Sequence, residues 1–115
     1  MSRSILLQLA RDSIAEVLEA QRTIDKKTLL SEHPLLNEKI PTTVNLYIDK
    51  KLRGSSKRNN NKETLLDSII RNAKESAFQD ENFNPISTSE YLDCELEILL
   101  TTPDGIISEI DPSIL

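Results

Sequence analysis

Two segments of the chain carry hydrophobic residues at the spacing of an amphipathic helix. In residues 4–21, Ser4 is a candidate cap, and the apolar face comprises Leu6, Ala10, Ile14, Val17 and Leu18. In residues 61–78, the apolar face comprises Leu65, Leu66, Ile69, Ile70, Ala73 and Ala77. Asn60 and Glu63 have the spacing of a capping box at its start. Both segments are therefore predicted to be helices that bury one face.

Three other segments have the properties of β-strands. Residues 43–49, TVNLYID, alternate hydrophobic and polar side chains, as a half-buried strand does. Residues 91–101 are predicted to be a strand whose inward side carries Leu92, Cys94, Leu96, Ile98 and Leu100. The turn TPDG precedes IISEI, residues 106–110, which is predicted to return as a short strand. Helices and strands together predict an α+β domain.

The remaining segments are predicted to be connections. Residues 26–41 are interpreted as a proline-punctuated linker with room for one helical turn. DKK, residues 49–51, suits a tight turn, after which LRG begins a returning strand. Gly54 in that triplet indicates a bulge, a positive φ or a close approach to the backbone. In the loop that follows the second helix, Phe78 and Phe83 are expected to contact the core, and Ser87 with Glu90 to cap a short turn.

Length and composition fit one cytoplasmic domain. At 115 residues the chain has the size of a single domain, ~100–150 residues. Its core must be built from Leu and Ile, because there is no Trp and only two Phe and two Tyr. The single Cys excludes an internal disulfide framework, which fits a reducing compartment. Arg11 and Asp12 follow the first apolar run too closely for a signal peptide, and no apolar run approaches the ~20 residues of a membrane span.

Charge is distributed unevenly along the chain, whose formal net charge is -5. Six basic residues and no acid lie between positions 50 and 62, namely Lys50, Lys51, Arg53, Lys57, Arg58 and Lys62. After Lys74 there is no Lys or Arg, whereas nine acids follow from Asp80 onward. Two interpretations stay open: an anion site on an acidic body, or a solvated basic loop beside a solvated acidic face.

The residue types present limit the chemistry to an anion site. The lone His33 has no second His, paired Cys or acid at ligand spacing, and no pattern ties it to a nucleophile. Acids at positions 93, 95 and 97 share the outer face of a strand, as on any solvated sheet. The segment after the first strand lacks the glycines and the Gly-Lys-Ser/Thr ending of a Walker loop, and only Tyr47 lies near it for base stacking. The candidate ligand-binding residues are Arg53, Gly54, Ser55, Lys57 and Arg58.

Three stretches of sequence, taken in order, point to a known family. They are LLQLARDSI, then LRG after a strand, then LLDSIIRNAKESAFQDENFNPISTSEYLDCELEIL. The most specific parts are IIRNAKESAFQDENF, EYLDCELEILLTTP and LRG. In this order they resemble the AMMECR domain family, whose bacterial and archaeal members are called AmmeMemoRadiSam system protein A. The resemblance covers nearly the whole chain and implies helices packed on a mostly antiparallel sheet.

The chain departs from the hallmark of that family, Leu-Arg-Gly-Cys-Ile-Gly. Leu52, Arg53 and Gly54 match it, but Ser55 stands where the family has Cys. Ser56 and Lys57 replace the Ile and the last Gly. A hydroxyl without an adjacent base is a much poorer nucleophile than a thiol, so the thiol chemistry suspected of the family is not expected here.

The family resemblance also raises a question about the end of the chain. Family members continue past the strand that ends near Pro103 with further strands and helices, which would leave this sheet with an uncovered edge. We therefore expect GIISEIDPSIL, residues 105–115, to fold back over that surface, or two chains to pair there.

The sequence supports several hypotheses about function. Family members occur with a radical-chemistry enzyme and a Memo-like protein, which implies an accessory or modifying role. The leading hypothesis is a non-enzymatic binding or partner protein without a cofactor or metal, since the motif Cys is missing and His33 is alone. The rival is an enzyme that holds an anionic, nucleotide-like substrate near Arg53, Gly54 and Ser55. A third, non-specific RNA binding by residues 50–62, is disfavoured by the net negative charge.

Overall fold

The structure is a computed structural model that describes residues 3–58 and 62–115. It confirms an α+β fold, in which helices pack on one face of a four-stranded antiparallel sheet. In chain order, the elements are α1 (Ile5–Glu19), α2 (Lys26–Glu32), a 3-10 helix (Pro34–Asn37), β1 (Thr42–Ile48), β2 (Lys51–Arg58), α3 (Leu65–Phe78), α4 (Thr88–Asp93), β3 (Glu95–Thr102) and β4 (Gly105–Asp111). No helix among the described residues is long and apolar enough to cross a membrane.

The sheet has the strand order β2-β1-β3-β4, and every neighbouring pair is antiparallel. The side chains of Val44 and Leu46 lie opposite Ile98 and Leu96 on the face that α1 and α3 cover, and all four are fully buried. The alternation predicted for residues 43–49 is therefore confirmed, because its hydrophobic half points into the core. The other face carries Asn45, Tyr47 and Glu97, which are only partly buried.

Helix α1 begins where its cap predicts, since the Ser4 hydroxyl accepts a hydrogen bond from the Leu7 N–H. Its buried residues all lie at or before Ile14, so the last turn of the helix lies at the margin of the core. Val17 was predicted to face the core, but 45% of its surface is exposed because of this position. The helix ends at Ala20, whose left-handed backbone places its N–H against the carbonyls of the last turn.

Helix α3 is shorter than its sequence pattern predicts. The Thr64 hydroxyl accepts from the Asp67 N–H, and this cap starts the helix at Leu65 rather than at residue 61. Asn60, the predicted cap, lies outside the described residues, and Glu63 lies in a bend before the helix and pairs with Arg71. The predicted apolar face is otherwise confirmed, with Ile70 partly buried at its edge.

Two segments are more helical than predicted. The linker contains α2, capped by the Asp25 side chain, and then the 3-10 helix, which buries Leu36. Residues 91–93 were predicted to start a strand but end helix α4 instead. The cause is the capping box formed by Ser87 and Glu90, which fixes the first turn of α4. Strand β3 consequently starts at Glu95, while Cys94 is buried as predicted.

The turns and the end of the chain complete the sheet. Asp49 and Lys50 both have positive φ, which gives the tight turn predicted between β1 and β2. The segment after TPDG forms β4 as predicted and extends the sheet by one strand. It does not cover the sheet, because Ile106, Ile107 and Ile110 are themselves exposed. Only the last residues fold back, where the Ile114 and Leu115 N–H groups donate to the Leu92 carbonyl. Pairing of two chains stays a prediction.

The motif strand and the open sheet face as a candidate site

The five candidate ligand-binding residues lie on β2, at one edge of the sheet. The register pairs Leu46 with Gly54 but Tyr47 with Leu52, so Arg53 is the extra residue of a β-bulge. Gly54 therefore points toward the helices, and Ser55 points toward the face of the sheet that no helix covers. We call this second surface the open face. The strand thus separates the candidate residues instead of grouping them in one loop.

Gly54 is required by the close approach of α3. A Cβ atom at this position would lie 2.0 Å from the Ser76 carbonyl oxygen, a distance at which backbone must move. Of the three interpretations of this glycine, the bulge and the close approach are both confirmed. The positive φ is wrong, since Gly105 is the glycine among the described residues with that conformation. The motif glycine therefore sets how tightly α3 packs on the sheet.

Arg53 binds the loop between α3 and β3. Its guanidinium donates to both carboxylate oxygens of Glu90, at 2.8 and 3.1 Å, and to the Asn84 carbonyl at 2.7 Å. It also lies 5.5 Å from the ring centre of Phe83, a cation–π contact. Phe83 therefore contacts Arg53 instead of the core, whereas Phe78 packs against the core as predicted. A cavity of about 420 Å³ opens beside this pair.

The pairing of Arg53 with Glu90 shifts the pKa of both side chains. Its hydrogen bonds lower the pKa of Glu90 below the ordinary value of 4.5, against the opposing effect of burial. In turn, Glu90 raises the pKa of Arg53. A bidentate arginine–carboxylate pair of this kind fixes the geometry of both side chains. An external anion would have to displace Glu90 to reach this guanidinium.

A carboxylate also occupies the backbone position where an anion was expected. The Ser55 N–H, next to Gly54, donates to the Asp80 carboxylate at 3.0 Å. Asp80 follows α3, so the loop after that helix runs along the outer edge of β2 from Ser55 to Arg53. Both donors of the LRG segment that were candidates for an external anion thus bind acids of the same chain.

Hydrogen-bonded polar side chains cross the open face through all four strands. The Ser55 hydroxyl donates to the Asn45 amide oxygen at 2.6 Å, and the Asn45 amide nitrogen donates to Glu97 at 3.0 Å. The Tyr47 hydroxyl donates to the same Glu97 oxygen at 3.1 Å, and Ser108 reaches its other oxygen at 3.4 Å. We call these five residues the polar row. Burial and the Glu97 charge raise the pKa of Tyr47, which therefore keeps its proton.

The polar row leaves the Ser55 hydroxyl without a base. The Glu97 carboxylate accepts hydrogen bonds, so the nitrogen of the Asn45 amide faces it and the oxygen faces Ser55. An amide oxygen accepts a hydrogen bond but does not take up the proton at neutral pH. Activation of a serine nucleophile requires a base within hydrogen-bond reach. The arrangement can orient the hydroxyl and cannot ionise it.

The other reactive side chains lie elsewhere. His33 directly precedes the 3-10 helix without a capping hydrogen bond from its side chain, and it lines a different cavity, beside the start of α1 and residues 110–114. Cys94 is buried on the helix side of the sheet, and burial raises the pKa of its thiol. Among the described residues, no three His, Cys, Asp or Glu side chains form a group that could hold a metal ion. Lys57 lies exposed at the end of the open face, and Arg58 ends β2.

Sequence reasoning missed the partners of the motif. Asn45 and Glu97 were interpreted only as outward positions of two strands, Asp80 only as a member of an acidic run, and Glu90 as an acid that caps a short turn with Ser87. Their polar residue types at outward positions were visible. The pairing of β1 with both β2 and β3, which sets Asn45 opposite Ser55 and Glu97, was not.

Fold and motif position together define the class of protein: an α+β domain whose Leu-Arg-Gly segment lies at the bulged edge of an antiparallel sheet. The family model AMMECR1 matches residues 7–114, and the chain belongs to this family. It is similar to the crystal structure of uncharacterized protein PH0010 from Pyrococcus horikoshii, with 30% identity and a TM-score of 0.73. The match covers 85% of this chain and 50% of that one, so the chain spans about half of its solved relative. No curated protein matches it.

Proposed function

We propose that this chain is a non-enzymatic AMMECR1-family protein that binds a partner protein through its open face. The hydrogen bond from Ser55 to the Asn45 amide oxygen carries the proposal, because it places an amide where a catalytic serine needs a base. The missing motif thiol supports the same conclusion. We further propose that the protein is cytoplasmic and folds as one domain, which its single unpaired Cys supports.

The open face has the properties of a protein-binding surface. It presents the polar row at its centre and exposed apolar side chains, Ile106 and Ile110, toward β4. Lys57 adds an exposed positive charge at the opposite end. Mixed surfaces of this kind, with an apolar part beside oriented hydrogen-bonding groups, are typical of transient interfaces.

Affinity capture with two matched variants tests this proposal. The Lys57→Glu variant reverses a charge on the open face, whereas Lys27→Glu reverses an exposed charge on α2. We expect the wild-type chain and Lys27→Glu to retain a common protein from lysate at moderate salt, and Lys57→Glu to lose it. Identical retained sets for all three chains would contradict binding at the open face, as would an empty set for the wild type.

The alternative function is that of an enzyme or ligand-processing protein with an anionic, nucleotide-like substrate. The basic residues of β2 favour it, since Lys57 is exposed and Arg58 follows it on the same strand. The internal acids Glu90 and Asp80 disfavour it, because they already bind Arg53 and the Ser55 N–H.

Titration with ATP and with inorganic phosphate separates the two functions. Lys57→Ala is the informative variant, and Lys27→Ala is its control. The Arg53→Ala variant is unsuitable alone, because it also releases the loop that Arg53 binds. An anion site predicts saturable binding that Lys57→Ala weakens and Lys27→Ala does not. A binding protein without such a site predicts no saturable binding to any of the chains.

A further inference from the structure

The two edges of the sheet differ in how they are protected. Along β2 the ladder is interrupted by the bulge at Arg53, and the segment after α3 binds the strand through Asp80 of the loop and Glu90 of α4. The strand also carries two exposed lysines, Lys51 and Lys57. Bulges, charges and covering loops are the devices by which proteins prevent pairing at a sheet edge.

Among the described residues, the β4 edge has no bulge, no cation and no covering loop, and its two acids, Glu109 and Asp111, bind Ser4 and Arg11 on the helix side of the sheet. Its seven residues, GIISEID, pair with β3 in regular register from Gly105 to Asp111 and contain no Lys, Arg or Pro. Within the described part of the chain, no other strand lies beside it. Its isoleucines are unusually exposed for such large apolar side chains: 68% for Ile106, 52% for Ile107 and 56% for Ile110. A regular, apolar and uncovered edge strand is a surface for another strand.

We propose that β4 pairs with β4 of a second copy of this chain, antiparallel about a two-fold axis at Ser108. The two sheets then form one continuous eight-stranded sheet. Residues that face each other across the axis must point to the same face of the sheet, so the axis must pass through a residue and not between two residues. The possible registers therefore differ from one another by steps of two residues. With Ser108 on the axis, all seven residues of both strands are paired.

The side chains of β4 complement themselves in this register. Ile106 of one copy lies opposite Ile110 of the other, so two isoleucine pairs form on the open face, one on each side of the Ser108 pair. Glu109 lies opposite Ile107 of the second copy, so no two acids are opposed. A shift of the axis to residue 109 would oppose the two Glu109 side chains, and a shift to residue 107 would oppose Ile106 with Ser108. Cross-strand apolar pairs stabilise a sheet and like charges destabilise it, which selects the Ser108 axis.

Two-fold pairing of the β4 edges also limits the assembly to two chains. Pairing of identical edges about a two-fold axis uses both β4 edges and leaves the two β2 edges at the ends of the joined sheet. Those ends are bulged and covered, so they do not recruit a third chain. The buried side of the strand is undisturbed, since Asp111 points to α1 and the pairing is made through the backbone edge.

Two charge variants test the register. In Ile106→Lys/Ile110→Lys, the two positions that face each other across the axis carry like charges. In Ile106→Lys/Ile110→Glu, the same positions carry opposite charges. We expect sedimentation velocity at high micromolar concentration to give twice the chain mass of 13.0 kDa for the wild type and for the Lys/Glu variant, and a single chain mass for the Lys/Lys variant. Leu52→Lys, at a similarly exposed apolar position on β2 at the opposite edge of the sheet, should stay dimeric.

Each other outcome overturns the proposal. A monomeric wild type would exclude pairing of β4 with itself, and a Lys/Lys variant that stays dimeric would place the interface elsewhere. Loss of the dimer in both double variants would exclude this register. As a second measurement, Ser108→Cys should form an interchain disulfide on mild oxidation, whereas Thr101→Cys, on the neighbouring strand, should not. Circular dichroism confirms that each variant is folded.

Discussion

The guanidinium of Arg11 lies 2.6 Å from the carboxylate of Asp111, although the two residues are 100 positions apart. Both are almost completely buried, at 1% and 5% exposure. Arg11 also donates to the Cys94 carbonyl at 2.8 Å and to the Pro112 carbonyl at 3.0 Å. The buried Arg11 side chain thereby joins α1 to the start of β3 and to the end of β4. It holds residues 111 and 112 against the first helix.

Replacing Arg11 by Met should strongly destabilise the fold. The substitution keeps the volume of the side chain but removes the buried donor of the Cys94 and Pro112 carbonyls. It also leaves Asp111 with only the partly exposed Arg3 as a cationic partner. Breaking a buried ion pair from one side costs about 3–5 kcal/mol, and we expect a loss in that range in the free energy of unfolding by urea. Arg3→Met is the matched control, since Arg3 also binds Asp111 but its side chain is 32% exposed. A loss for Arg11→Met no larger than for Arg3→Met would contradict this role.

Gly54→Ala tests the close approach of α3 to the motif strand. The added methyl group would lie 2.0 Å from the Ser76 carbonyl oxygen, so α3 or β2 has to move. Overpacking of this kind costs about 1–3 kcal/mol, which we expect as a lower midpoint in thermal unfolding. The control is Ser55→Ala, which adds no atoms at the next position and removes one hydroxyl at the open face. A Gly54→Ala variant as stable as the wild type would show that α3 yields without cost.

The Arg53–Glu90 pair should make stability depend on pH below the ordinary pKa of glutamate. The folded pKa of Glu90 is lowered, so its contribution to stability is present above about pH 4.5 and is lost as the pH falls through the folded value. Because the Glu90 side chain is 37% exposed, solvent reduces the size of this effect. Glu90→Gln should flatten the fall in unfolding free energy below about pH 4.5, because the variant has no carboxylate to protonate at this position. The control Glu81→Gln, at an exposed loop position, should keep the wild-type slope. An unchanged slope in Glu90→Gln would contradict the assignment.

Sequence patterns predicted the elements better than the contacts between them. In residues 5–19 and 42–48, the spacing of the hydrophobic residues matches the spacing of the buried side chains. Both elements therefore lie where the hydrophobic pattern places them. The strand predicted from residue 91 failed because Leu92 continues the alternation of β3, whereas the local capping box of Ser87 and Glu90 decides for a helix. At this junction, the capping hydrogen bonds of Ser87 and Glu90 therefore determine the secondary structure, and the hydrophobic periodicity does not.

The candidate site shows the limit of sequence reasoning more sharply. The side chain of Arg53 was interpreted as a ligand for an external anion, yet it binds Glu90, 37 positions away. Nothing in a single sequence pairs two residues at that separation, because the pairing is set by where the loop after α3 crosses the sheet edge. The replacement of the family Cys by Ser55 was visible in the sequence, but its neighbour Asn45 followed only from the strand register.

Ser55→Cys tests whether the site can activate a nucleophile. The substitution restores the residue type of the family motif at a position whose side chain bonds to the Asn45 amide oxygen. An amide provides no base, so we expect the new thiol to react with iodoacetamide as an ordinary accessible thiol does. Its rate should rise with pH about a midpoint near ~8.5, the unperturbed value for cysteine.

Thr101→Cys, at an exposed position of β3, is the matched reference thiol, and the native Cys94 is buried and should react slowly in both variants. A rate for Ser55→Cys within about threefold of the reference at pH 7 supports a binding surface without an activated nucleophile. Reaction tenfold faster than the reference, with a midpoint shifted below pH 7, would mean that the neighbouring cations stabilise a thiolate. The open face would then retain the electrostatics of a catalytic site, and the enzyme alternative would replace the binding function proposed for this chain.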